Sequence, residues 1–341
     1  MTGRAPPPTH PARLGVFTSR EAAAAGWTPE GLEHAVRRGR LVRLRRGVYV
    51  AADLDEGLHA ADRTRRRHAR LSIGAALVTR GAAVNGLAAA TVRGWPVWAP
   101  AERACLHVAG GTSSALRDVH VHRDTMPGDA TLAVDGYRLT GAGRTVVDVA
   151  REFGTEAGLV VADAAVAAGA TTPDRIRHEI TRLAGRPGIG RARPLADLVD
   201  ARAESVLESR SRWQFVVHDL PAPRPQMWLY DLEGRFLGRT DFLWEVGVVG
   251  EVDGAAKLED AAARTALLQR QLGLGRVGLR VVRWGEPQLR SFDPTAAWLR
   301  EELAAAAADP GPRRWVASEV RLGSKTVLRG LPDTVRAPNR R

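Results

Sequence analysis

Acidic side chains in the C-terminal part of the chain could support metal-dependent hydrolysis. Asp241 falls on one predicted strand, and Glu251 and Asp253, two positions apart, share a face of the next strand. Carboxylates in this arrangement can hold Mg²⁺ or Mn²⁺, which activates water and offsets the charge of a phosphodiester. Lys257 could add a cation beside the attacking water, and Glu208 could supply a fourth carboxylate. Asp241, Glu251, Lys257 and Glu208 are the candidate catalytic residues, and Asp241, Glu251 and Asp253 are the candidate metal ligands.

A particular order of elements would have to bring these carboxylates together. The segment ARAESVLESRSRWQFVVHDL predicts a helix that carries Glu208, and PQMWLYD predicts a strand. RFLGRTDFLWEVGVVGEVDG predicts two more strands, AARTALLQRQLGLG a second helix, and VGLRVVRW a fourth strand. Helix, three strands, helix and strand is the order of the restriction-endonuclease-like fold. Acidic residues at strand ends beside a glycine turn also occur without any active site, and that alternative stays open.

A second kind of chemistry is indicated by arginines near the N-terminus, which no acidic residue interrupts. This arginine cluster consists of Arg37, Arg38, Arg40, Arg43, Arg45 and Arg46. Guanidinium groups bind phosphate oxygens, so the arginine cluster predicts contact with a nucleic-acid backbone. A solvated basic face is the alternative for such a run taken alone.

The elements around the arginine cluster favour nucleic-acid binding. Thr18 or Ser19 begins a first predicted helix, with Glu21 in the position of a capping box. Thr28 and Pro29 begin a second helix, PEGLEHAVRRG, and RLVRLRRGVYV then predicts a hairpin. Two short helices joined by a tight turn and followed by a hairpin form a winged helix-turn-helix.

The second helix of this unit, over residues 28–39, is the candidate recognition helix. Its candidate DNA-contacting residues are Thr28, Glu33, His34 and Arg37, to which the rest of the arginine cluster adds contacts to phosphates. Glu33 and His34 are the leading candidates for reading base edges in the major groove of double-stranded DNA.

Histidines in the middle of the chain raise the question of a metal site. His120 and His122 share one face of a predicted strand, and His107 lies on an earlier strand. No acidic residue stands at a suitable local spacing, so surface or cross-strand histidines are the favoured interpretation. Arg144 and Asp148, four apart on a predicted helix, predict a local ion pair.

Composition sets the limits of these interpretations. The 341 residues carry a formal net charge of +12, which favours anionic partners, although an arginine-rich proteome would give the same balance. The single cysteine excludes an internal disulfide and a zinc site built from several cysteines. The sequence lacks the apolar run of a membrane helix and a signal peptide at its start, so we expect a cytoplasmic protein without a membrane partner.

The predicted architecture is α+β and multidomain. A proline-rich, disordered segment is expected over residues 1–13, and the winged helix-turn-helix over 14–52. A mixed α/β middle domain follows over 53–200, and the restriction-endonuclease-like α/β domain over 201–300. Residues 301–341 are expected to form a basic tail, which is polar and loosely ordered after about residue 309.

The N-terminal unit resembles a known family. FTSREAAAAGWTPEGLEHAVRRGRLVRLRRGVYV resembles the winged helix of AbiEi antitoxins of type IV toxin-antitoxin systems, and the middle region is similar in arrangement. The resemblance implies operator binding, autorepression and a cognate toxin encoded nearby as a partner.

The C-terminal unit resembles very-short-patch-repair-type endonucleases. AESVLESRSR, GRTDFLW, GEVDGAAK and LRVVRW carry the resemblance. In that family a histidine typically follows Glu-x-Asp-Gly by three residues, and Lys257 stands there in this chain. In the broader superfamily a lysine lies two residues after the Glu, a position that Asp253 occupies.

Two functions follow from these patterns. The first is a DNA-binding transcriptional regulator with an inactive nuclease-like domain. The second is a DNA endonuclease that depends on Mg²⁺ or Mn²⁺ and is targeted by its winged helix. They differ in whether a complete metal site is present.

Overall fold

The computed structural model describes residues 6–98, 104–109, 114–115, 119–124, 130–254, 261–311 and 313–321. The chain is mixed α/β, with three sheets in these residues. It divides into two compact units, Met1–Val199 and Asp200–Arg341. The predicted boundary between residues 200 and 201 lies one position from this division.

The first unit contains two of the three sheets. Its strands are β1 (Phe17–Thr18), β2 (Leu41–Arg45), β3 (Val48–Ala51), β4 (Ala82–Val84), β5 (Ala104–Ala109), β6 (Ser114–Ala115), β7 (Val119–Asp124), β8 (Thr131–Val134) and β9 (Tyr137–Thr140). Its helices are α1 (Ser19–Ala24), α2 (Pro29–Arg37), α3 (Ala60–Val78), α4 (Gly86–Val92), α5 (Ala142–Phe153), α6 (Thr155–Ala167), α7 (Pro173–Arg182), α8 (Ile189–Ala192) and α9 (Leu195–Leu198).

The N-terminal elements form where the capping residues predict them. Thr18 accepts a hydrogen bond from the backbone of Glu21, whose carboxylate accepts one from the backbone of Thr18, so the capping box is present. Thr28 caps α2, and Pro29 follows as its first residue. The strands β1, β3 and β2 form an antiparallel sheet in that order. A small core closes between helices and sheet, consisting of Phe17, Ala22, Leu32, Ala35, Leu41 and Tyr49.

Residues just before this unit are more ordered than the sequence predicts. The expectation of disorder over residues 1–13 is wrong at its end, because Pro11–Arg13 form a 3₁₀ helix and Arg13 is buried. The Arg13 guanidinium lies 2.6 Å from the carboxylate of Glu21 and 3.1 Å from that of Asp135. The proline-rich composition predicted disorder because it cannot show the contact with Asp135, which lies 122 positions away in the sequence.

The second sheet of the first unit has the strand order β6-β7-β5-β4-β9-β8. The pairs β5–β7 and β4–β9 are parallel, and the other pairs are antiparallel. On β7 the side chains alternate, because Val119 and Val121 enter the core while His120 and His122 project from the opposite face. The apolar residues Ile73 of α3 and Ala88 of α4 join the same core.

The second unit follows the predicted order of elements. Its helices are α10 (Val206–Val217), α11 (Ala261–Arg276), α12 (Glu286–Arg290) and α13 (Asp293–Ala308), and its strands are β10 (Arg224–Asp231), β11 (Phe236–Trp244), β12 (Val248–Asp253), β13 (Arg280–Gly285) and β14 (Trp315–Ser318). The sheet order is β13-β12-β11-β10-β14, with β12 and β13 parallel and the other pairs antiparallel.

The two faces of this sheet bury different residues. Phe242 and Trp244 pack on the face covered by α10 and α13, whereas Leu243 and Val249 pack with Leu274 of α11. The period of two along β12 therefore places Glu251 and Asp253 on the α11 face. Gly250 lies on the opposite face, where a Cβ atom would come within 2.6 Å of the Trp284 ring and 2.9 Å of the Trp244 ring.

The expected basic tail over residues 301–341 begins inside a helix, and the expectation of loose order after about residue 309 is wrong for β14. Helix α13 runs through residue 301 to Ala308, and Leu299 and Leu303 pack in the core. Strand β14 adds to the sheet edge beside β10, with Trp315 buried. The burial of Leu303 and Trp315 explains why this segment is ordered despite its basic composition.

Candidate nucleic-acid interface

The arginine cluster surrounds the end of α2 and the hairpin of β2 and β3. Arg37 ends α2, Arg38 caps it, and Arg43 lies on β2. Arg37, Arg38, Arg40, Arg43 and Arg46 are exposed, and Arg45 is half-buried. The structure thus places the six predicted residues on one helix–hairpin segment, where their charges face water.

Glu33 of α2 is an acidic residue that contacts the arginine cluster. Glu33 lies 3.7 Å from Arg37, one helical turn away, and both side chains are 68% exposed. Ion pairs between such exposed groups contribute at most about 1 kcal/mol and are screened by salt. A phosphate could therefore replace Glu33 as the partner of Arg37 at small cost.

The other candidate residues on α2 have different environments. The Thr28 hydroxyl oxygen accepts a hydrogen bond of 3.1 Å from the backbone N–H of Gly31, so it serves the helix as its cap. Glu33 is exposed and His34 is half-buried, while Leu32 and Ala35 point into the core. Glu33, His34 and Arg37 thus lie on the part of α2 that is not covered by the small core.

In the second unit, the carboxylates of Glu251 and Asp253 contact guanidinium groups. Glu251 is 4% exposed, and its two oxygens lie 2.7 Å from Arg270 and 3.0 Å from Arg283. Asp253 lies 2.9 Å from the same Arg283. Sequence reasoning identified Lys257 as the nearby cation, but residues 255–260 lie outside the described part of the chain. It missed Arg270 and Arg283 because α11 and β13 bring them in from distant positions.

Asp241 and Glu208 complete the predicted set. One Asp241 oxygen accepts a hydrogen bond of 2.9 Å from the backbone N–H of Val252, which ties β11 to β12. Glu208 is buried and accepts hydrogen bonds from the Glu204 backbone, at 3.0 Å, and from the Gln226 amide, at 2.7 Å. Both residues therefore have protein partners in this arrangement.

Burial dominates the electrostatics of Glu208 and Glu251. Loss of water raises the pKa of Glu208, and the nearby charge of Asp241 raises it further, although hydrogen bonds oppose the shift. Burial also raises the pKa of Glu251 above its ordinary value, against the lowering effect of Arg270 and Arg283. The charge of Asp241 raises the pKa of Glu251 as well.

Among the described residues, the carboxylates do not converge on one point as the ligands of a Mg²⁺ or Mn²⁺ ion would. Such an ion needs several oxygen ligands turned towards one point. Here both oxygens of Glu251 and one of Asp253 face arginines. Asp241, Glu251 and Asp253 do not form a group whose ligand atoms converge as tightly as those of His120, His122 and Glu152 do within the described residues. The negative charge of Glu251 and Asp253, which was the reason to expect a metal ion, is offset by the guanidinium groups of Arg270 and Arg283.

A site that the sequence did not predict lies in the first unit. Glu152 of α5 lies 3.2 Å from His120 and 3.4 Å from His122. Burial raises the pKa of Glu152, but the hydrogen bond and charge of His122, with those of His120, outweigh it and lower the pKa. The predicted Arg144–Asp148 ion pair is present at 2.9 Å on the same helix.

Comparison with known proteins supports the N-terminal assignment. Residues 10–52 match the family model described as a transcriptional regulator, AbiEi antitoxin. The uncharacterized proteins MT2308 and Rv2248 of Mycobacterium tuberculosis, from strains CDC 1551 / Oshkosh and ATCC 25618 / H37Rv, are each 31% identical to this chain over 219 residues. The match covers 64% of this chain and 74% of each relative. This chain belongs to their family.

The AbiEi-type regulator domain therefore coincides with the segment that carries the arginine cluster. The matched residues 10–52 include Arg13, both short helices and the whole hairpin. The predicted unit began at residue 14, four positions later than the match. Among the described residues, no helix is both long and apolar enough to cross a membrane.

Proposed function

We propose that this protein is a DNA-binding transcriptional regulator of the AbiEi antitoxin type. The observation that carries the proposal is the arginine cluster, which lies within the segment matched by the AbiEi antitoxin family. In this proposal residues 14–52 act as a winged helix-turn-helix on double-stranded DNA. The family implies that the protein represses its own gene and that its partner is a cognate toxin encoded nearby.

The arrangement of the two helices and the hairpin supports this mode of binding. The helix α2 enters the major groove, because its core-facing residues leave Glu33, His34 and Arg37 uncovered. The hairpin of β2 and β3 follows the adjacent backbone, where Arg43, Arg45 and Arg46 bind phosphates. Phosphate contacts supply most of the affinity, and contacts from α2 to base edges supply the specificity.

The second unit takes part without cleaving DNA in this proposal. Its order of elements is that of the restriction-endonuclease-like fold, and Asp241 and Glu251 lie on paired strands. Those two features favour the alternative of a Mg²⁺-dependent endonuclease targeted by the winged helix. The contacts of Glu251 and Asp253 with Arg270 and Arg283 favour an inactive domain, since they occupy the oxygens that a metal would need.

Equilibrium binding to DNA tests the proposed function. Fluorescence anisotropy would compare a duplex covering the region upstream of the protein's own coding sequence with a scrambled duplex of equal length. We expect specific binding that is tighter by a factor on the order of 1,000 at physiological salt. Equal affinity for both duplexes would argue against an autorepressor, and no binding to either would overturn the DNA-binding assignment.

A matched pair of variants connects the binding to the arginine cluster. Replacing Arg43, Arg45 and Arg46 with Ala removes three charges from the proposed interface. Replacing the exposed Arg276, Arg290 and Arg300 with Ala removes the same charge from the second unit. We expect the first triple variant to lose affinity for both duplexes and the second to keep it.

A further inference from the structure

His120, His122 and Glu152 bring three side chains of metal-binding type to one place. His120 and His122 project from the same face of β7, and Glu152 comes from the last turn of α5. One ligand atom from each residue lies within 4.8 Å of the others. Within the described residues, no other group of three or more histidine, cysteine, aspartate or glutamate side chains brings its ligand atoms this close together.

Each of the two histidines contacts a different oxygen of Glu152, and the ligand atoms lie within reach of one small transition-metal ion. Ligand atoms about 2.0–2.1 Å from a tetrahedral zinc ion lie roughly 3.3 Å from one another. Nδ1 of His120 lies 3.2 Å from Oε1 of Glu152, and Nε2 of His122 lies 3.4 Å from Oε2. Imidazole nitrogens favour zinc and related ions over Mg²⁺ and Ca²⁺. Two histidines with one glutamate form a three-ligand set that leaves one position of a tetrahedral zinc ion open.

We propose that His120, His122 and Glu152 bind one divalent transition-metal ion of the zinc class, with its open coordination position facing a pocket in the first unit.

The pocket supplies an independent reason to expect a ligand there. It has a volume of about 630 Å³ and is lined by both His122 and Glu152. Asn85 also lines it and is 1% exposed, and its side-chain oxygen has no hydrogen-bond partner among the described residues. A buried amide oxygen without a partner costs free energy, which a metal-bound water in the pocket would recover.

Neighbouring side chains hold the ligand set in place. The His107 ring stacks on the His122 ring, with centroids 6.3 Å apart, and His107 contacts Arg144 at 3.2 Å. Arg144 and Arg151 both pair with Asp148, at 2.9 and 3.1 Å. Asp148 thus offsets the charges of Arg144 and Arg151 beside the pocket.

Metal binding by the full-length protein tests the proposal. The protein would be purified without a metal-affinity column, stripped with a chelator and titrated with Zn²⁺ by calorimetry. We expect one Zn²⁺ per chain, and both His122→Ala and Glu152→Gln should weaken its binding by roughly 100-fold or more. The exposed His59→Ala and Glu56→Gln variants are the matched controls and should bind as the wild type does.

The outcomes separate a site from adventitious binding. Binding that is equally tight in His122→Ala and the wild type, or no stoichiometric binding by the wild type, would overturn the proposal. If either site variant fails to fold, X-ray absorption at the zinc edge of the wild-type protein replaces it. Two imidazole ligands in that spectrum would support the site, and any other number would contradict it.

Discussion

Glu251 and Arg270 form an ion pair between β12 and α11, with Oε1 and Nη2 2.7 Å apart. This pair and the contact of Glu251 with Arg283 give the second unit a charge balance that does not require a metal. The order of its elements favours a nuclease-like domain, whereas the oxygen ligands among its described residues do not converge as a metal site would require. Measurements of Mg²⁺ binding and of DNA cleavage decide between them.

We expect no stoichiometric Mg²⁺ binding by the wild-type protein, because arginines already offset the carboxylates. Replacing both Arg270 and Arg283 with Met should create binding, since three carboxylates would then lack a counter-charge. Calorimetry measures both proteins, and Mg²⁺ is the probe because it prefers oxygen ligands to the histidines of the first unit. Mg²⁺-dependent plasmid cleavage by the wild type that Asp241→Ala abolishes would instead establish the endonuclease alternative.

The salt dependence of DNA binding should report on the arginine cluster. Each lost phosphate contact reduces the slope of log affinity against log salt by roughly 0.9, because fewer counterions are released. Replacing Arg43, Arg45 and Arg46 with Ala should therefore flatten the slope by up to about three such steps. Anisotropy titrations at several salt concentrations give the slope. A slope identical to that of the wild type would remove these residues from the interface.

Replacing Glu33 and His34 with Ala should change which DNA sequence is preferred more than it changes total affinity. Both residues lie on the uncovered side of α2, from which side chains can reach base edges. Arg43→Ala is the matched comparison, because a lost phosphate contact should weaken binding evenly across sequences. Selection from a randomised duplex pool measures the preference. The same selected sequence for the double variant and the wild type would count against α2 as the recognition helix.

Local sequence patterns predicted the elements well, because the forces involved are local. The capping box of Thr18 and Glu21 and the cap at Thr28 are both present, since each joins residues three positions apart. The alternation along β7 likewise placed His120 and His122 on one face. Such signals are contained within a few residues and need no knowledge of tertiary contacts.

Contacts between distant residues were beyond the same reasoning. Glu152 follows His120 by 32 positions, so no local spacing could connect them. Arg270 and Arg283 reach Glu251 from separate elements, and charge counting along the sequence therefore left the carboxylates without partners. The helix that carries Arg144 and Asp148 was predicted, but its placement against β7 depends on the sheet order. The site residues that were missed are those which only the topology brings together.

The stability of the second unit should depend on pH through Glu208. Its pKa is raised in the folded protein, mainly by burial, so it favours folding below its unfolded pKa and loses that contribution as pH rises through the folded value. Glu208→Gln cannot ionise and should not show this loss. The free energy of unfolding of the variant should therefore rise relative to that of the wild type as the pH increases from acid to neutral. Chemical unfolding at several pH values measures the difference, with the exposed Glu301→Gln as control. A constant difference across pH would show that ionisation of Glu208 is not involved.

Arg13 should stabilise the regulator domain by joining it to the second sheet of the first unit. Its side chain is 6% exposed and pairs with Glu21 of α1 and with Asp135 in the turn between β8 and β9. We expect Arg13→Ala to lower the free energy of unfolding by roughly 1–3 kcal/mol, because water partly screens both carboxylates. The exposed Arg20→Ala is the control and should have little effect.

The effect of Arg13→Ala should also shrink in acid. Burial alone would raise the pKa of Glu21, but the hydrogen bonds from Arg13 and Thr18 lower it overall. A lowered carboxylate pKa stabilises the folded state above the unfolded pKa, and that contribution is lost as pH falls through the folded value. Thermal unfolding of both proteins from neutral pH to pH values below the ordinary range of glutamate measures this. A difference that stays the same in acid would mean that Arg13 acts through packing rather than through its charge.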